Sequence, residues 1–301
     1  MKKARAAAAA AATLALVGAL ALAGCAGDGA KAGAGDGAKA GDAPQSQPAE
    51  SVQLQVFAAN SLTKAMAEAQ ALYTEQHPGV TFADTQYEAS GTLNEMLGAG
   101  QYADVLITAS AGTMDAAVEK GYVDEGTRQT LFLNDLVVVT KQGGPLVGKD
   151  ITLADIAAGA YTLAVGDEAV PAGNYACQAL STVGGYLEPD GKTGAEATGK
   201  GGQFSATLQP LVTLGAKVGD VCKYAETGDV DIAMVYTSDV YRMGGVEIVS
   251  VVPGDTHKKI QYPGAVCADS EHAEAAAAFL EWCLTDGDCA KIWQKWGFEL
   301  A

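Results

Sequence analysis

Histidine is scarce in this sequence, and its absence limits the metal sites that the chain can build. The 301 residues include three histidines, His77, His257 and His272, and these lie far apart in the chain. The six cysteines show no spacing that is typical of a metal site. We therefore expect no resident metal and no cofactor, and we expect each histidine to be a solvated surface residue.

Basic residues are also few. The chain has 19 lysines and arginines against 36 aspartates and glutamates, which gives a formal net charge of −17. Such an acidic protein repels both the phosphates of nucleic acid and the headgroups of an anionic lipid surface. We therefore predict no nucleic-acid partner and no direct binding of the folded body to anionic lipid.

A serine nucleophile paired with a base is likewise missing. Ser61 and Ser90 stand at predicted helix starts, but no Gly-x-Ser-x-Gly elbow surrounds either serine and neither has a histidine close in sequence. An exported hydrolase or transferase is the alternative that this pattern disfavours. We predict that the protein is not an enzyme.

Only one long apolar run is present, and it lies at the start of the chain. Lys2, Lys3 and Arg5 precede an Ala- and Leu-rich stretch over residues 6–22, which ends in the sequence Leu-Ala-Gly-Cys at Cys25. A positive start, an apolar stretch and small residues before a cleavage point are typical of a secretory signal, predicted here as residues 1–24. A transmembrane anchor is the alternative, but the stretch is slightly short for one and is rich in alanine and glycine, which insert weakly.

The Leu-Ala-Gly-Cys ending resembles the lipobox of bacterial lipoproteins. That resemblance implies a lipid on Cys25 and a protein held at the outer face of the cell membrane. The following linker, residues 25–51, contains the octet AGDGAKAG twice in succession and cannot bury a core. Roughly 25 such residues span about 25–30 Å, enough to keep a folded body clear of the membrane.

The remaining 250 or so residues alternate between strand-like and helix-like segments, which predicts an α/β fold with ligands at the carboxyl ends of strands. Their number suffices for two lobes with cores of their own. Residues 184–202 (GGYLEPDGKTGAEATGKGG) interrupt the alternation and are predicted to form a surface insertion.

Four predicted helices begin where small or hydroxyl residues follow a strand. A helix start has unpaired N–H groups and a partial positive charge, so it favours an anion. Ser61 and Ser90 would offer hydroxyl and backbone donors, whereas Ala172 and Val218 would offer backbone N–H groups alone. For each serine by itself, simple capping of its helix is the alternative.

The motifs together resemble those of a known family. They occur in the order AANSLT, YEASGTL, YADVLITAS, NDLVVV, VGDEAVPAGNYA, DIAMVYTSD and a closing WGF, which is similar to the periplasmic molybdate-binding proteins of ABC importers. The resemblance implies the type II periplasmic-binding fold, in which two α/β lobes are joined by crossing strands and the ligand lies in the cleft. The implied lobes are residues 52–133 with 265–301, and residues 134–264.

The same resemblance implies a function and a ligand set. The ligand would be molybdate, with tungstate as a near-isosteric second ligand, and the partner would be an ABC permease that receives the oxyanion from a monomer. The implied ligand residues are Ser61, Ser90, Ala172, Val218 and Tyr236. Val218 rests on spacing, because its neighbours match the motif only loosely. A binder of sulfate or phosphate and a sensory lipoprotein on the same fold are the alternatives.

Three departures from the family pattern affect the site. The loop over residues 166–170 is one residue shorter than usual, which would shift Ala172 slightly. Glu168 in that loop would bring a negative charge to the rim of the cleft. The insertion over residues 184–202 would alter the lobe surface that a permease contacts.

Five cysteines follow the linker, and an exported protein permits disulfides. Cys177 and Cys222 each lie about one turn into a helix that begins at the same anion, so we hypothesise a bridge between them. Cys283 and Cys289 flank a turn and could also bridge, which would leave Cys267 unpaired. Buried free thiols are the alternative.

Overall fold

The computed structural model describes residues 51–301. The predicted signal peptide, the lipidation site at Cys25 and all but the last residue of the predicted linker lie outside these residues. No helix within residues 51–301 combines the length and apolarity needed to cross a membrane.

Fifteen strands are formed within the described residues. They are β1 Val52–Leu54, β2 Val56–Ala59, β3 Val80–Phe82, β4 Gln86–Glu88, β5 Val105–Ile107, β6 Gln129–Leu133, β7 Leu136–Lys141, β8 Leu163–Gly166, β9 Tyr186–Leu187, β10 Gln203–Phe204, β11 Val212–Gly215, β12 Ile232–Tyr236, β13 Val246–Val251, β14 Gln261–Val266 and β15 Glu299–Leu300.

Nine α-helices accompany these strands within the same residues. They are α1 Thr63–Gln76, α2 Ser90–Gly98, α3 Ala111–Glu119, α4 Leu153–Ala157, α5 Pro171–Ser181, α6 Val218–Thr227, α7 Thr237–Met243, α8 Ala273–Thr285 and α9 Gly287–Lys295.

The strands form two main sheets. The first has six strands in the order β15-β6-β14-β5-β2-β4, and the second has five in the order β11-β8-β12-β7-β13. In the first sheet β2 pairs in parallel with β4 and β5, and in the second β8 pairs in parallel with β11 and β12. These parallel strands are the ones that lead into the helices around the candidate site.

The chain passes between the two sheets twice. The first crossing runs from β6 to β7, and the second runs from β13 to β14. The predicted boundary at 133/134 falls in the first crossing. The predicted boundary at 264/265 falls inside β14, and since the whole strand belongs to the first sheet, that crossing ends at Gln261.

Burial follows the sheet pairing. All five residues of β12 are buried, because it lies inside its sheet with helices α5 and α6 packed against it. Helix α1 buries Ala65, Met66, Ala69 and Tyr73, which recur at helical spacing, and it ends where His77-Pro78-Gly79 follows.

The insertion is a folded cover over helix α5. Strands β9 and β10 pair as an antiparallel ladder at its two ends, and every residue of α5 is buried. Gly199 has a φ of +70°, and a Cβ added there would lie 2.1 Å from the backbone oxygen of Asn174. Only glycine therefore permits this close approach between the insertion and α5.

Neither predicted disulfide is present, since the five cysteines of residues 51–301 are free and buried. The crossovers from β8 to β11 and from β11 to β12 run in opposite directions along the sheet, so right-handed connections place α5 and α6 on opposite faces. Cys177 and Cys222 are thus separated by the sheet. Cys283 and Cys289 do adjoin, and burial together with the Cys289 thiol raises the pKa of Cys283 well above its usual value.

The prediction that all three histidines are solvated is wrong for His257. Its side chain is buried, with 5% of the residue exposed. The Nδ1 atom lies 2.8 Å from the backbone oxygen of Lys258, and the ring packs edge-on against Tyr175. A single histidine in a polar-looking loop gives no periodicity from which this burial could be predicted.

Candidate functional site

One small cavity collects all five predicted ligand residues. It lies between the two sheets and has a volume of about 10 Å³, far below the ~300–1,000 Å³ of drug-sized pockets. Its lining consists of Ala59, Asn60, Ser61, Glu88, Ala89, Ser90, Ala109, Val170, Pro171, Ala172, Val218 and Tyr236. A cavity of this size fits one small ion.

The first sheet brings its residues to the cavity through the ends of three strands. Strand β2 leads through a 3-10 turn over Asn60–Leu62 into α1, which places Ser61 at the turn. Strand β4 is followed by Ala89 and then by Ser90, the first residue of α2. The chain after β5 supplies Ala109. These strands are parallel neighbours, so their carboxyl ends meet at one edge of the sheet.

The second sheet contributes in the same way. Strand β8 leads to α5, where Pro171 and Ala172 form the first turn, and β11 leads to α6, which begins at Val218. Tyr236 is the last residue of β12 and directly precedes α7. The departure in the loop over residues 166–170 leaves Ala172 in the cavity lining.

Ser61 pairs its hydroxyl with that of a buried tyrosine. Its hydroxyl lies 2.9 Å from the Tyr262 hydroxyl, which also accepts a hydrogen bond from the side-chain amide of Asn134 at 3.3 Å. Burial raises the pKa of Tyr262 far above its usual value, so the phenol keeps its proton. Either hydroxyl of the Ser61–Tyr262 pair can be the donor. When Tyr262 donates, the Ser61 proton is available to a ligand.

Ser90 shows the same arrangement with a backbone donor. The N–H of Ala109 donates to the Ser90 hydroxyl oxygen over 3.0 Å, and the residue is fully buried. An oxygen that accepts a backbone hydrogen bond is turned so that its own O–H faces away from that donor. Both serines line the cavity, and each can offer an O–H donor to a ligand there.

Tyr236 supplies a third hydroxyl. Its O–H lies 3.4 Å from the backbone oxygen of Ala109, a long contact for a hydroxyl donor. Burial and the nearby Tyr262 raise the pKa of Tyr236 well above its usual value, so this phenol is also a neutral donor. The N–H of Tyr236 donates to Asp239 Oδ2 at 3.0 Å, which fixes the end of β12.

Ala172 and Val218 contribute backbone groups. Both stand in the first turn of a helix, and within residues 51–301 neither N–H has a backbone or side-chain acceptor. Pro171, the first residue of α5, has no N–H group. The first free N–H donors of this helix therefore belong to the residues that follow it. Two helix starts thus point donors and partial positive charge toward one cavity.

Asn60 and Glu88 tie the two halves of the cavity together. The Asn60 side-chain oxygen accepts hydrogen bonds from the N–H of Gly219 at 3.1 Å and from Arg242 Nη2 at 3.2 Å. Glu88, the one carboxylate in the lining, pairs with Lys217 Nζ at 3.0 Å. This pairing offsets a negative charge that would otherwise oppose an anion.

Gly91 marks the closest approach of the two sheets' loops. Its N–H donates to the backbone oxygen of Ala169 at 3.0 Å, and an added Cβ would lie 2.9 Å from the Cα of Ala169. This contact joins a residue of α2 to the loop that precedes α5.

The expected negative charge of Glu168 at the cavity does not appear. The Glu168 carboxylate accepts a hydrogen bond from the N–H of Gly201 at 2.7 Å and faces the insertion. Glu168 does not line the anion cavity.

Sequence reasoning missed four residues that shape the site: Asn60, Glu88, Asn134 and Tyr262. Asn60 and Glu88 lie inside or beside the quoted motifs, so the motif boundaries contained their signal. Tyr262 contacts Ser61 from 201 positions away, and Asn134 contacts Tyr262 from 128 positions away, because the chain crosses twice between the sheets. No local pattern carries such a contact.

The donor set suits an anion and not a cation. Within residues 51–301 no group of histidine, cysteine or carboxylate side chains could hold a metal ion. The cavity instead presents hydroxyl and backbone donors in a buried setting, where hydrogen bonds to a charged group are strong.

Comparison with known proteins agrees with this geometry. The sequence model of the bacterial extracellular solute-binding proteins matches residues 54–299. The chain belongs to this family. It is 34% identical over 259 residues to the molybdate-binding protein ModA of Escherichia coli (strain K12), with 84% of this chain and 91% of that protein covered.

Two further relatives of the solute-binding family are informative. The chain is 28% identical over 250 residues to a putative ABC transporter substrate-binding lipoprotein, YvgL of Bacillus subtilis (strain 168), covering 83% of this chain and 87% of that protein. The solved substrate-binding domain of a putative molybdenum ABC transporter from Clostridium difficile superposes with a TM-score of 0.60 at 26% identity, covering 83% of this chain and 100% of that one.

These matches confirm the predicted α/β architecture as the type II periplasmic-binding fold, and they confirm the predicted resemblance to periplasmic molybdate-binding proteins. Membership of this solute-binding family also implies a place of action outside the cytoplasm.

Proposed function

We propose that this protein captures molybdate, and tungstate as a second ligand, in the cavity and delivers the oxyanion to an ABC permease. The observation that carries the proposal is the convergence of three neutral hydroxyls and two free helix-start N–H groups on one buried cavity. No lysine or arginine lines that cavity. Similarity to ModA supports the choice of oxyanion.

Neutral donors suit this ligand for a physical reason. Molybdate is a tetrahedral dianion that stays unprotonated at neutral pH, so a site of N–H and O–H donors binds it without relying on an acceptor group. Fixed dipoles hold their direction, whereas a lysine would supply only a mobile point charge. Ser61, Ser90, Ala172, Val218 and Tyr236 are the proposed ligand residues, and no catalysis is part of this role.

Anchoring at the membrane completes the proposal. A lipid on Cys25 and the linker over residues 25–51 would keep a monomeric receptor within reach of the permease. The lipoprotein description of the similar B. subtilis protein supports this location. Metabolic labelling with a fatty acid, with Cys25→Ser as the control that abolishes the label, tests it.

Isothermal titration tests the ligand. The chain starting at residue 26 is titrated with molybdate, tungstate, sulfate and phosphate. We expect molybdate and tungstate to bind more tightly than the two smaller oxyanions. If sulfate or phosphate binds as tightly as molybdate or more tightly, the proposal of molybdate as the specific ligand is wrong, and the solute-binding role stands.

Substitution of the two serines tests the site itself. Ser61→Ala and Ser90→Ala each remove one hydroxyl donor, and each should weaken molybdate binding by about 1.5–3 kcal/mol, the scale of a hydrogen bond to a charged group. Ser181→Ala is the matched control, because Ser181 is also buried but lies outside the cavity lining. Unchanged affinity in both cavity variants would show that the ligand binds elsewhere.

A further inference from the structure

A second groove adjoins the anion cavity. It is larger, at about 260 Å³, and is lined by residues of α3, α5, the insertion and the loop before β14. Pro171 lines both the groove and the cavity, and Ser110 at the groove directly follows Ala109 at the cavity. The groove therefore lies next to the anion cavity at the boundary between the two sheets.

Positive charge collects in this groove. Lys200, Lys258 and Lys259 line it, and no aspartate or glutamate does. The three lysines are exposed, and none of them forms an ion pair within residues 51–301. Three unpaired cations side by side are unexpected in a chain with a net charge of −17.

The first turn of α3 adds to the positive potential. Ser110, Ala111, Gly112 and Thr113 line the groove, and the first turn of this nine-residue helix contains no acidic residue. A helix start carries roughly half a positive charge. It therefore reinforces the field of the three lysines.

Hydrogen bonds fix the backbone that carries these lysines. The N–H of Lys200 donates to the Thr198 hydroxyl at 3.1 Å, and the N–H of Lys258 donates to the Gln178 side-chain oxygen at 3.0 Å. The neighbouring carboxylates of Glu168 and Glu188 accept hydrogen bonds from the N–H groups of Gly201 and Gly199. These two carboxylates therefore bond to the insertion's backbone and form no ion pair with the three lysines.

We propose that Lys200, Lys258 and Lys259 form an electrostatic entrance that draws the oxyanion toward the cavity. This proposal rests on the proposed function, and it assigns a role to the insertion, which supplies Lys200. The three lysines would raise the association rate of the oxyanion. The donors inside the cavity would determine its dissociation rate. The acidic body repels a dianion at long range, so a local positive patch at the entrance has a large effect on approach.

The expected effect follows from screening. Charged clefts raise association rates by about 10- to 1,000-fold, and the effect falls steeply with salt. The Debye length shrinks from ~30 Å at 0.01 M to ~8 Å at 0.15 M ionic strength and ~3 Å at 1 M. Steering by the lysines should therefore be strong in dilute buffer and weak in concentrated salt.

Stopped-flow fluorescence with molybdate as the probe tests the proposal. The triple variant Lys200→Gln, Lys258→Gln, Lys259→Gln should associate about tenfold more slowly than the unmodified chain at ~10 mM ionic strength, with a difference below about twofold near 0.5 M. Its dissociation rate should be unchanged. Lys200→Gln alone should show part of the loss.

A charge-matched control separates local steering from net charge. Lys120→Gln, Lys149→Gln, Lys291→Gln removes three exposed lysines that do not line the groove. We expect this control to slow association far less. Three results would contradict the proposed entrance. They are equal association rates in the unmodified chain and the groove variant, an equal loss of association rate in the control, and a change confined to the dissociation rate.

The two proposals fail in different ways. If molybdate binds and only the rates contradict the prediction, the entrance is wrong and the proposed function stands. If another oxyanion binds in place of molybdate, the same rate comparison is made with that ion. If none of the four oxyanions binds, the proposed function fails and the entrance fails with it.

Discussion

Lys217 Nζ lies 3.0 Å from Glu88 Oε2 and joins the start of α6 to the end of β4. The pair connects the second sheet to the first beside the anion cavity, and both side chains are about one-third exposed. A surface pair of this kind contributes little to stability. Its position indicates a different role, which is to neutralise the single carboxylate of the cavity lining.

Breaking this pair should change anion affinity in opposite directions. Lys217→Gln leaves the Glu88 carboxylate uncompensated beside the bound dianion, so molybdate affinity should fall several-fold, or about 1 kcal/mol. Glu88→Gln removes the negative charge and should raise affinity by a similar factor. Isothermal titration at low ionic strength measures both.

The double variant is the internal control for this pair. Lys217→Gln with Glu88→Gln restores neutrality, so its affinity should return toward that of the unmodified chain. Circular dichroism melts should show that all three variants keep their fold. A Lys217→Gln variant with unchanged affinity at low salt would show that Glu88 needs no partner.

Tyr236→Phe should weaken molybdate binding without unfolding the protein. The variant removes one hydroxyl donor and keeps the buried ring that packs against Tyr175 and Tyr262. We expect a loss of about 1.5–3 kcal/mol, or roughly 10- to 150-fold in the dissociation constant.

Tyr262→Phe distinguishes a ligand from a positioning residue. Tyr262 contacts Ser61 but does not line the cavity, so its removal frees the Ser61 hydroxyl to rotate without removing a donor to the ligand. Its effect on affinity should be smaller than that of Tyr236→Phe. A larger effect would show that Tyr262 itself binds the anion.

Much of the fold followed from local sequence. The alternation of strands and helices gave the α/β class, and starts such as Ser90 and Val218 were placed within two residues of the helices observed. Strand β11 and helix α7 were not predicted, because β11 is short and partly exposed and α7 begins directly after Tyr236 without a break in the pattern. Short elements of this kind depend on their packing partners.

The same distinction between local pattern and long-range packing applies to the residues of the site. Residues whose role comes from a helix start, such as Ser90 and Ala172, were visible as motifs. Residues whose role comes from long-range contact, such as Tyr262 to Ser61, were not. The disulfide hypothesis for Cys177 and Cys222 failed for this reason too, since position along each helix does not determine which face of the sheet the helix covers.

Gly199→Ala should destabilise the insertion and the helix beneath it. The residue has a φ of +70°, and an added Cβ would lie 2.1 Å from the Asn174 backbone oxygen, so the contact between the insertion and α5 must open. The free energy of unfolding should fall by more than the ~1–2 kcal/mol that a left-handed conformation alone costs a residue with a Cβ.

Gly191→Ala is the matched control for this change. Gly191 lies in the same insertion with a φ of +73°, and an added Cβ would meet nothing within 4 Å. It should show the conformational cost alone in a urea titration. An equal decrease in the free energy of unfolding in the two variants would show that the close approach of Gly199 to Asn174 does not affect stability.

His257 should make stability depend on pH near neutrality. Burial lowers the pKa of His257 from its usual value of 6.5, although the hydrogen bond to the Lys258 backbone and, to a smaller extent, Asp135 and Asp255 oppose the shift. Nδ1–H donates to the backbone oxygen of Lys258, whereas Nε2 is buried without a partner within residues 51–301, so a proton added there would have no acceptor.

The sign of this dependence follows from proton binding. Between the lowered folded-state pKa and 6.5 the unfolded chain protonates His257 while the folded chain keeps it neutral, so unfolding takes up a proton. The free energy of unfolding therefore decreases as the pH decreases through this window, by at most about 1.4 kcal/mol per pH unit. His257→Asn keeps an N–H for the Lys258 carbonyl and removes the titration. Thermal melts at pH 8 and pH 5.5 should show a larger drop for the unmodified chain than for His257→Asn. His77→Asn, at an exposed histidine, should keep the larger drop; equal drops in the unmodified chain and His257→Asn would show that His257 does not control the dependence.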